Sequence, residues 1–524
     1  MAGFQSVEQP RLARRSHWVA QLRRHAFQSP DRPALRFEGE GLSWAQLEER
    51  VASLAAAFAR RGVGVGSRVA IVMSNRPEYV EIVLAANSLG AMAVPVNFRL
   101  SADEIAYILQ DSGATVVACD SDFTEPVREA VAGLDAGVTV VVRGGAETGE
   151  GAEQYDALLS EDGALTDAPD VEESTPALIM YTSGTTGHPK GAVLTHQNLQ
   201  AQALNVIRAW QLVDDGEVNL CASPMFHIGA IGVLAPIMLI GGCTVILPTG
   251  RFAPGPVLDL LEHEHVNSVF LVPTQWQMLC NDPSVPTHDL SSLKHLCWGA
   301  APASVTLLQQ MAEVFPDAVN VAVFGQTEMS PVTCVLGGDD ALRKIGSVGR
   351  PVPTISVRVV DDEMRDVPRG QVGEIVYRGP TMMQGYWRNE EATKEAFAGG
   401  WFHSGDLVRV DDEGFVFVVD RKKDMIISGG ENIYCAEVEN VLAGHPSIAD
   451  VSVVGRPHPH WGETPVAVVV LKDAADEPTV DELRTWAREH MAAYKLPTDL
   501  RVVPELPRNA SGKVLKGPLR ESVL

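Results

Sequence analysis

Tyr181-Thr-Ser-Gly-Thr-Thr-Gly-His-Pro-Lys-Gly191 follows directly on the apolar run Ala177-Leu-Ile-Met180. A short apolar run bounded by turn residues reads as a buried strand, and the hydroxyls, glycines and lysine after it read as a loop. A strand that opens into such a loop presents backbone N–H groups, hydroxyl donors and a cation to an anion, a nucleoside triphosphate above all. The loop is not of the Walker type. That motif closes on Gly-Lys-Ser/Thr, whereas Lys190 stands between Pro189 and Gly191, so no hydroxyl follows it to hold Mg²⁺. A polyphosphate cradle of another design is implied.

Outward from this loop, short apolar strands alternate with helical patterns. Arg68 to Met73, Ala91 to Val96 and Thr115 to Cys119 read as strands, with helices at Glu78 to Leu89 and Ala102 to Asp111 between them. A polar, acidic, Gly-rich stretch from Gly144 to Glu173 reads as loops near a sheet edge. Strand patterns resume at Ala177 to Tyr181, Val218 to Ser223, Thr244 to Leu247, Ser268 to Val272, His295 to Trp298 and Val319 to Phe324. Such alternation predicts βα units and largely parallel sheet. Between Ile345 and Val419 the pattern turns strand-rich, which suggests a small β-barrel or antiparallel subdomain. The charge run Asp420-Arg-Lys-Lys-Asp424 then precedes a compact segment with helices at Cys435 to Ala443 and Val480 to Ala492, and strands at Ile448 to Val454 and Val466 to Leu471.

The expected fold is therefore α/β: a large N-terminal domain of βα-type sheets with a small β-barrel subdomain, then a small, mobile α+β C-terminal domain. The expected boundaries are 1–420 for the first domain, 421–424 for a hinge and 425–524 for the last. A chain of 524 residues is too long for one ordinary core, which agrees with several domains.

The net charge of −25 repels nucleic acid and anionic membrane. An anionic ligand must be met by focused local cations. Seven dispersed cysteines without a CxxC pair argue against a disulfide framework and a zinc site, and fit a reducing cytoplasm. The N-terminus reads as lacking a signal peptide, and cytoplasmic localisation is expected. From Cys221 to Gly250 the only residue among Asp, Glu, Lys, Arg and His is His227, but Pro224, Pro236 and Pro248 interrupt the stretch, so a buried helix plus strand is expected rather than a membrane span. A homodimer is compatible with the sequence.

Four further motifs carry chemistry. Phe324-Gly-Gln-Thr-Glu328 sits at the C-terminal end of an expected parallel strand, where α/β sheets bind ligands. Glu328 there suits a Mg²⁺ bridging phosphate oxygens, and Thr327 suits donation to a phosphate. In Trp401-Phe-His-Ser-Gly-Asp-Leu407, the Asp406 carboxylate suits both hydroxyls of a ribose, with a solvent turn as the competing reading. Ile427-Ser-Gly-Gly-Glu-Asn-Ile433 offers glycines for a close ligand approach, or a plain turn. Pro507-Arg-Asn-Ala-Ser-Gly-Lys513 puts a lysine on a Gly-containing turn near the chain end, able to swing its ammonium between two anions.

Taken in order, YTSGTTGHPKG, FGQTE, SGD, DRKKDMIISGGENI and RNASGK closely resemble the motifs of the adenylate-forming superfamily of acyl- and aryl-CoA ligases, luciferases and peptide-synthetase adenylation domains. The resemblance covers the chain from about Ala34 onward. It implies ATP, Mg²⁺ and CoA as cofactor and co-substrates, and a small carboxylic acid as the molecule activated. It assigns Thr182, Ser183, Gly184, Thr185, Thr186, Gly187 and Lys190 to the β- and γ-phosphates, Gly299, Ala300 and Ala301 to the adenine, and Thr327 and Glu328 (within the Phe324, Gly325, Gln326 turn) to the α-phosphate and Mg²⁺. Asp406 and Arg421 fall to the ribose. Gly429, Gly430 and Glu431 fall to the pantetheine tunnel, Lys423 to the hinge, and Lys513 to the bridge between substrate carboxylate and α-phosphate. Three departures stand out: Phe324 where many members have Tyr, Ser404 in place of the usual Thr, and a Lys hinge rather than Asp.

In amino-acid-activating members an aspartate follows the Phe of the Pro224-Met-Phe-His227 segment. Here His227 stands in that place, which speaks against an amino acid and leaves the imidazole either to gate the carboxylate or to pack. Ile228, Gly229, Ile231, Gly232, Met329 and Val332 suggest an apolar acyl or aryl pocket. A medium- or long-chain fatty acid is the expected substrate, with a cinnamate- or benzoate-like acid as the alternative and loading of a carrier protein as another. If Lys513 serves only the first of two half-reactions, Lys513→Ala abolishes acyl-adenylate formation but leaves thioester formation from supplied acyl-adenylate largely intact. Pyrophosphate release and thioester formation measured separately check this, and equal loss of both refutes it.

Overall fold

The computed structural model describes residues 15–134, 137–145, 151–161, 169–182, 188–212, 216–250, 252–301, 303–338, 340–429, 431–473, 476–508 and 514–524. The chain forms two compact units, Met1–Ser356 with Arg378–Phe397, and Val357–Tyr377 with Ala398–Leu524.

The first unit holds two large sheets, whose strands are counted among the described residues. In the eight-stranded one, Arg68–Val72 lies between parallel Met92–Pro95 and Val116–Asp120. Thr139–Arg143 and Ala152–Gln154 extend one edge. On the other side Met92–Pro95 pairs with Pro176–Thr182, which forms an antiparallel ladder with Lys190–Thr195. Gly385–Tyr386 closes that edge by pairing with Lys190–Thr195. Continuous Val, Ala and Ile runs suit strands covered on both faces. Val72, Val94, Val117 and Ile179 bury against Ile105, Ile108 and Leu109 of the helix Ala102–Ser112. That helix starts where the sequence tells it to: Ser101 and Glu104 form a reciprocal capping box.

The nine-stranded sheet runs in the order Arg350–Pro351, Val332–Gly337, Val319–Gly325, His295–Gly299, Ser268–Leu271, Val218–Cys221, Cys243–Ile246, Pro33–Phe37 and Glu40–Ser43. Its middle is parallel and its ends antiparallel. The stretch after Cys221 forms the helix Ile228–Ile240 and the strand Cys243–Ile246, as expected. Among the described residues no helix is long and apolar enough to cross a membrane.

In the second unit Val372–Arg378, Phe402–Val410 and Val416–Arg421 form antiparallel ladders in a four-stranded sheet with Ser356–Val360. Farther along, the long hairpin Ile448–His458 and Gly462–Leu471 is joined by Ile426–Ser428, Glu431–Ile433 and Asp499–Val502. Strand alternation sorts its residues. Val453, Ala467 and Val469 bury with helix residues Val438 and Leu442, while Val454, Val466 and Val468 bury with Leu506 and Leu519. All seven cysteines are free and buried.

Two departures have physical reasons. The stretch from Gly144 to Glu173, expected as loops, contains an edge strand and the short helix Tyr155–Leu159, because Tyr155 is buried and donates its hydroxyl to the buried Glu81 carboxylate. The strand-rich region from Ile345 to Val419 is interrupted by Arg378–Phe397, which belongs to the first unit, since Gly385–Tyr386 finds its ladder partner there.

His196, 1% exposed at the start of the helix His196–Ala209, has no hydrogen-bond partner on either ring nitrogen among the described residues. Burial pushes its pKa down to about 3, with nearby His17 adding to the effect. The native state keeps this ring neutral while the unfolded chain charges it near pH 6.5, so stability is full above 6.5 and declines as pH falls toward 3. We expect His196→Phe to remove about 2 kcal/mol of the stability lost between pH 7 and pH 5. Melting curves of both proteins at the two pH values measure it, and parallel losses would count against it.

Candidate active site

Glu328 stands in a short turn, Thr327–Met329, between the antiparallel strands Val319–Gly325 and Val332–Gly337. The turn is tight. A Cβ on Gly325 would lie 1.8 Å from the carbonyl oxygen of Pro331, so no side chain fits there. Phe324 donates no hydroxyl, but its carbonyl accepts from the Thr333 hydroxyl at 3.0 Å. Gln326 carries a buried side-chain N–H group without a partner among the described residues, a donor left for a ligand.

The Glu328 carboxylate is buried at 9% exposure. Its Oε1 accepts the Tyr386 hydroxyl at 3.0 Å and lies 3.5 Å from the Thr182 hydroxyl. Among the described residues no basic side chain pairs with it. Burying an unpaired charge is unfavourable, so this carboxylate fits a cation supplied with a ligand. Among the described residues no group of three or more His, Cys, Asp or Glu could hold a metal unaided. One carboxylate completed by phosphate oxygens and water is the usual arrangement for Mg²⁺, and Glu328 fits it.

Thr182 and Lys190 face each other in the ladder, at the two stems of the phosphate loop. Ser183, Gly184, Thr185, Thr186 and Gly187 lie outside the described residues, as do Gly430 and Lys513. The helix Ala102–Ser112 pins both stems. Tyr107 stacks on His188 at 4.4 Å and donates to the Pro189 carbonyl, and Tyr181 donates to Asp111 at 2.5 Å. Burial and the Asp111 carboxylate push the Tyr181 phenol well above its ordinary range, so it stays a donor. The Lys190 ammonium lies 5.3 Å from the centroid of the Tyr386 ring. Burial and Glu328 push the Tyr386 phenol up as well.

At the end of the neighbouring strand, Gly299 approaches Val323 so closely that a Cβ would meet its carbonyl oxygen at 2.3 Å. Ala300 follows with φ +63°, a left-handed conformation that costs a non-glycine residue energy, and both Ala300 and Ala301 are exposed. His227 caps the helix Ile228–Ile240, its Nδ1 accepting the Gly229 N–H at 3.1 Å. Burial pushes its pKa down, which favours the neutral ring with the proton on Nε2. The residues read as an apolar pocket, Ile228, Ile231, Met329 and Val332, are buried, and Gly232 leaves room for Pro331. Phe226 meets the edge of Phe98 at 5.5 Å.

In the second unit Asp406 and Arg421 face each other across two strands, with Arg421 Nε 2.6 Å from Asp406 Oδ1. Ser404 turns its hydroxyl toward the Ile375 carbonyl and accepts the Asp406 N–H at 2.9 Å, so the hydroxyl at this position supports the turn. Gly429 donates its N–H to the Trp461 carbonyl at 2.8 Å, beneath the Trp461 ring, and Glu431 is exposed on the next strand. Beside Lys423, Arg520 binds the Lys423 carbonyl at 3.1 Å and Asp424 at 2.7 Å.

Sequence reading missed Tyr386. The tripeptide Gly385-Tyr-Trp387 contains nothing but a glycine and two aromatics, and its place beside Glu328 depends on a ladder with residues far away in the chain.

The AMP-binding enzyme profile matches residues 22–387, and that of the AMP-binding enzyme C-terminal domain matches residues 437–513. A feruloyl-CoA synthase of Amycolatopsis is 43% identical over 95% of this chain and 97% of its own. An indoleacetate–CoA ligase of Aromatoleum aromaticum is 38% identical over 97% and 98%. The o-succinylbenzoate CoA synthetase of Bacillus subtilis, solved with its acyl-adenylate intermediate, is 30% identical and superposes with a TM-score of 0.85 over 97% of this chain and 98% of that one. The chain belongs to the AMP-binding enzyme family, the adenylate-forming enzymes, and is an AMP-forming acid–thiol ligase.

Proposed function

We propose that this protein joins an aryl acid to coenzyme A through an acyl-adenylate, with release of AMP and pyrophosphate. The observation that carries the adenylating step is the buried Glu328 carboxylate, free of any basic partner among the described residues, beside the stems of the phosphate loop. An oxygen of the substrate carboxylate attacks the α-phosphorus of ATP, and the bond to the bridging oxygen breaks to release pyrophosphate. The thiol sulfur of CoA then attacks the acyl carbon, the proton leaves the thiol, and AMP departs. Both steps gather anions, so electrostatic positioning does most of the work.

Glu328 would hold Mg²⁺, whose bound form neutralises charge on the phosphates. Thr182 and Lys190 bind the triphosphate, with the loop residues 183–187 between them, and Thr327 donates to the α-phosphate. Gly299, Ala300 and Ala301 form the bed for adenine; Asp406 and Arg421 bind the ribose. His227, neutral, offers Nε2–H to the substrate carboxylate. Gly429, Gly430 and Glu431 line the path of the pantetheine arm. Lys513 bridges the two anions of the first step, and rotation at 421–424 withdraws it before the second.

The sequence alone pointed to a fatty acid. The aryl acids named for the relatives, ferulate, indoleacetate and succinylbenzoate, favour the alternative instead. The burial of Ile228, Ile231, Met329 and Val332 and the edge-to-face pair Phe226 and Phe98 are compatible with an apolar ring as substrate. We expect aryl-acetic and cinnamic acids to give CoA-dependent pyrophosphate release with kcat/KM at least about tenfold above that of decanoate and palmitate. A panel of acids with and without CoA tests this. Preference for the fatty acids would return the substrate to the aliphatic class, and adenylate that accumulates unless a carrier protein is added would make the protein a loading ligase.

A further inference from the structure

Tyr386 touches two groups of opposite charge at once. Its hydroxyl donates to Glu328 Oε1 at 3.0 Å, while its ring face lies 5.3 Å from the Lys190 ammonium. The backbone holds it there from both sides: Tyr386 is paired with Ala192, its N–H donates to Thr393 Oγ1 at 2.9 Å, and the next N–H, of Trp387, donates to the Gly191 carbonyl. The segment before it is tied equally firmly. Asn198 donates to the carbonyls of Pro380 and Met382, Ser330 donates to that of Thr381, and the Met383 N–H donates to the carbonyl of Glu328 itself.

Without the ring, the two charges would be free to meet. Thr182 is the ladder partner of Lys190, and its hydroxyl lies 3.5 Å from Glu328 Oε1, so the carboxylate reaches the strand position opposite the one that carries the ammonium. A long, flexible lysine side chain reaches across such a gap with ease. Yet among the described residues neither Lys190 nor Glu328 has an ion-pair partner.

We propose that Tyr386 is a positioning residue that separates Lys190 from Glu328, reserving the ammonium for the triphosphate and the carboxylate for the divalent cation. This role rests on the adenylating site described above. The hydroxyl orients the carboxylate through a hydrogen bond to an ionised acceptor, and the ring holds the ammonium by a contact weak enough to yield to phosphate.

Binding measured without any acid substrate tests it apart from turnover: Mn²⁺ titrated by electron paramagnetic resonance in the presence of ATP, and ATP itself by calorimetry. Tyr386→Phe keeps the ring and loses the hydroxyl, and should weaken Mn²⁺ about tenfold while leaving ATP affinity within about twofold. Tyr386→Leu loses both and should weaken Mn²⁺ further and ATP about fivefold, as Lys190 turns to Glu328. Adding Lys190→Met to Tyr386→Leu should return Mn²⁺ affinity to the level of Tyr386→Phe, a recovery that a merely structural role would not give. Absence of that recovery, or Mn²⁺ affinity of Tyr386→Phe equal to that of the unmodified protein, overturns the role, as does a lowered melting midpoint with both affinities unchanged. Failure of the unmodified protein to bind ATP overturns the adenylating site and this role with it, whereas equal affinities across all variants overturn the role alone.

Discussion

A carboxylate at 9% exposure without a basic partner among the described residues is an unfavourable thing for a fold to keep, and the segment that carries Tyr386 is held against it. Removal from water costs an isolated carboxylate several kcal/mol, on the order of what the whole protein gains from folding. Two hydroxyls, of Tyr386 and Thr182, offset part of that cost. On the proposed reading the rest is left to the cation that comes with the ligand. A site that is incomplete in this sense binds its cation and nucleotide with energy that folding has left unused, and binding in turn stabilises the native state.

The requirement explains why the segment Arg378–Phe397 departs from the strand-rich region around it. Its partners lie in the first unit: Asn198, Ser330, Val193 and Gly191 all bind its backbone. Those bonds fix Tyr386 against Glu328 more firmly than a surface loop could, and hydrogen bonds that satisfy backbone groups add rigidity without extra side chains. The tight turn at Gly325, where a Cβ has no room, performs the same service from the other side.

How much of this was legible in the sequence follows from the range of the interactions involved. Strands and helices declare themselves locally, by apolar runs, by periodicity and by caps such as Ser101 with Glu104, so most elements lay within a few residues of their expected places. Glu328, Thr182 and Asp406 stand out in the sequence because each sits in a motif of unusual residue types, and the structure brings Thr182 to Glu328 and Asp406 to Arg421. Tyr386 carries no such mark. A tyrosine after a glycine reads as core or turn, and what sets it apart is a ladder with Ala192 that no local pattern encodes. The strand-rich region does form the expected antiparallel sheet, but pattern reports that strands exist and not which sheet each joins, so the pairing of Gly385–Tyr386 with Lys190–Thr195 was not legible.

In a chain of net charge −25, free cations are scarce by default, because carboxylates compete for every lysine and arginine. Arg421 illustrates the competition, held by Asp406 at 2.6 Å. Lys190 escapes it by resting on an aromatic face, an interaction worth about 0.5–1 kcal/mol where water has access and so far weaker than a desolvated ion pair. The difference has a functional sense. An ammonium parked on a ring keeps its full charge and most of its field, and a triphosphate can draw it away at small cost. An ammonium already bonded to a buried carboxylate would have to be separated from it first, at an energy comparable to what the phosphate contact returns. The acidity of the protein thus makes the neutral, aromatic partner the better holder for a cation whose task is to meet an anion arriving from outside.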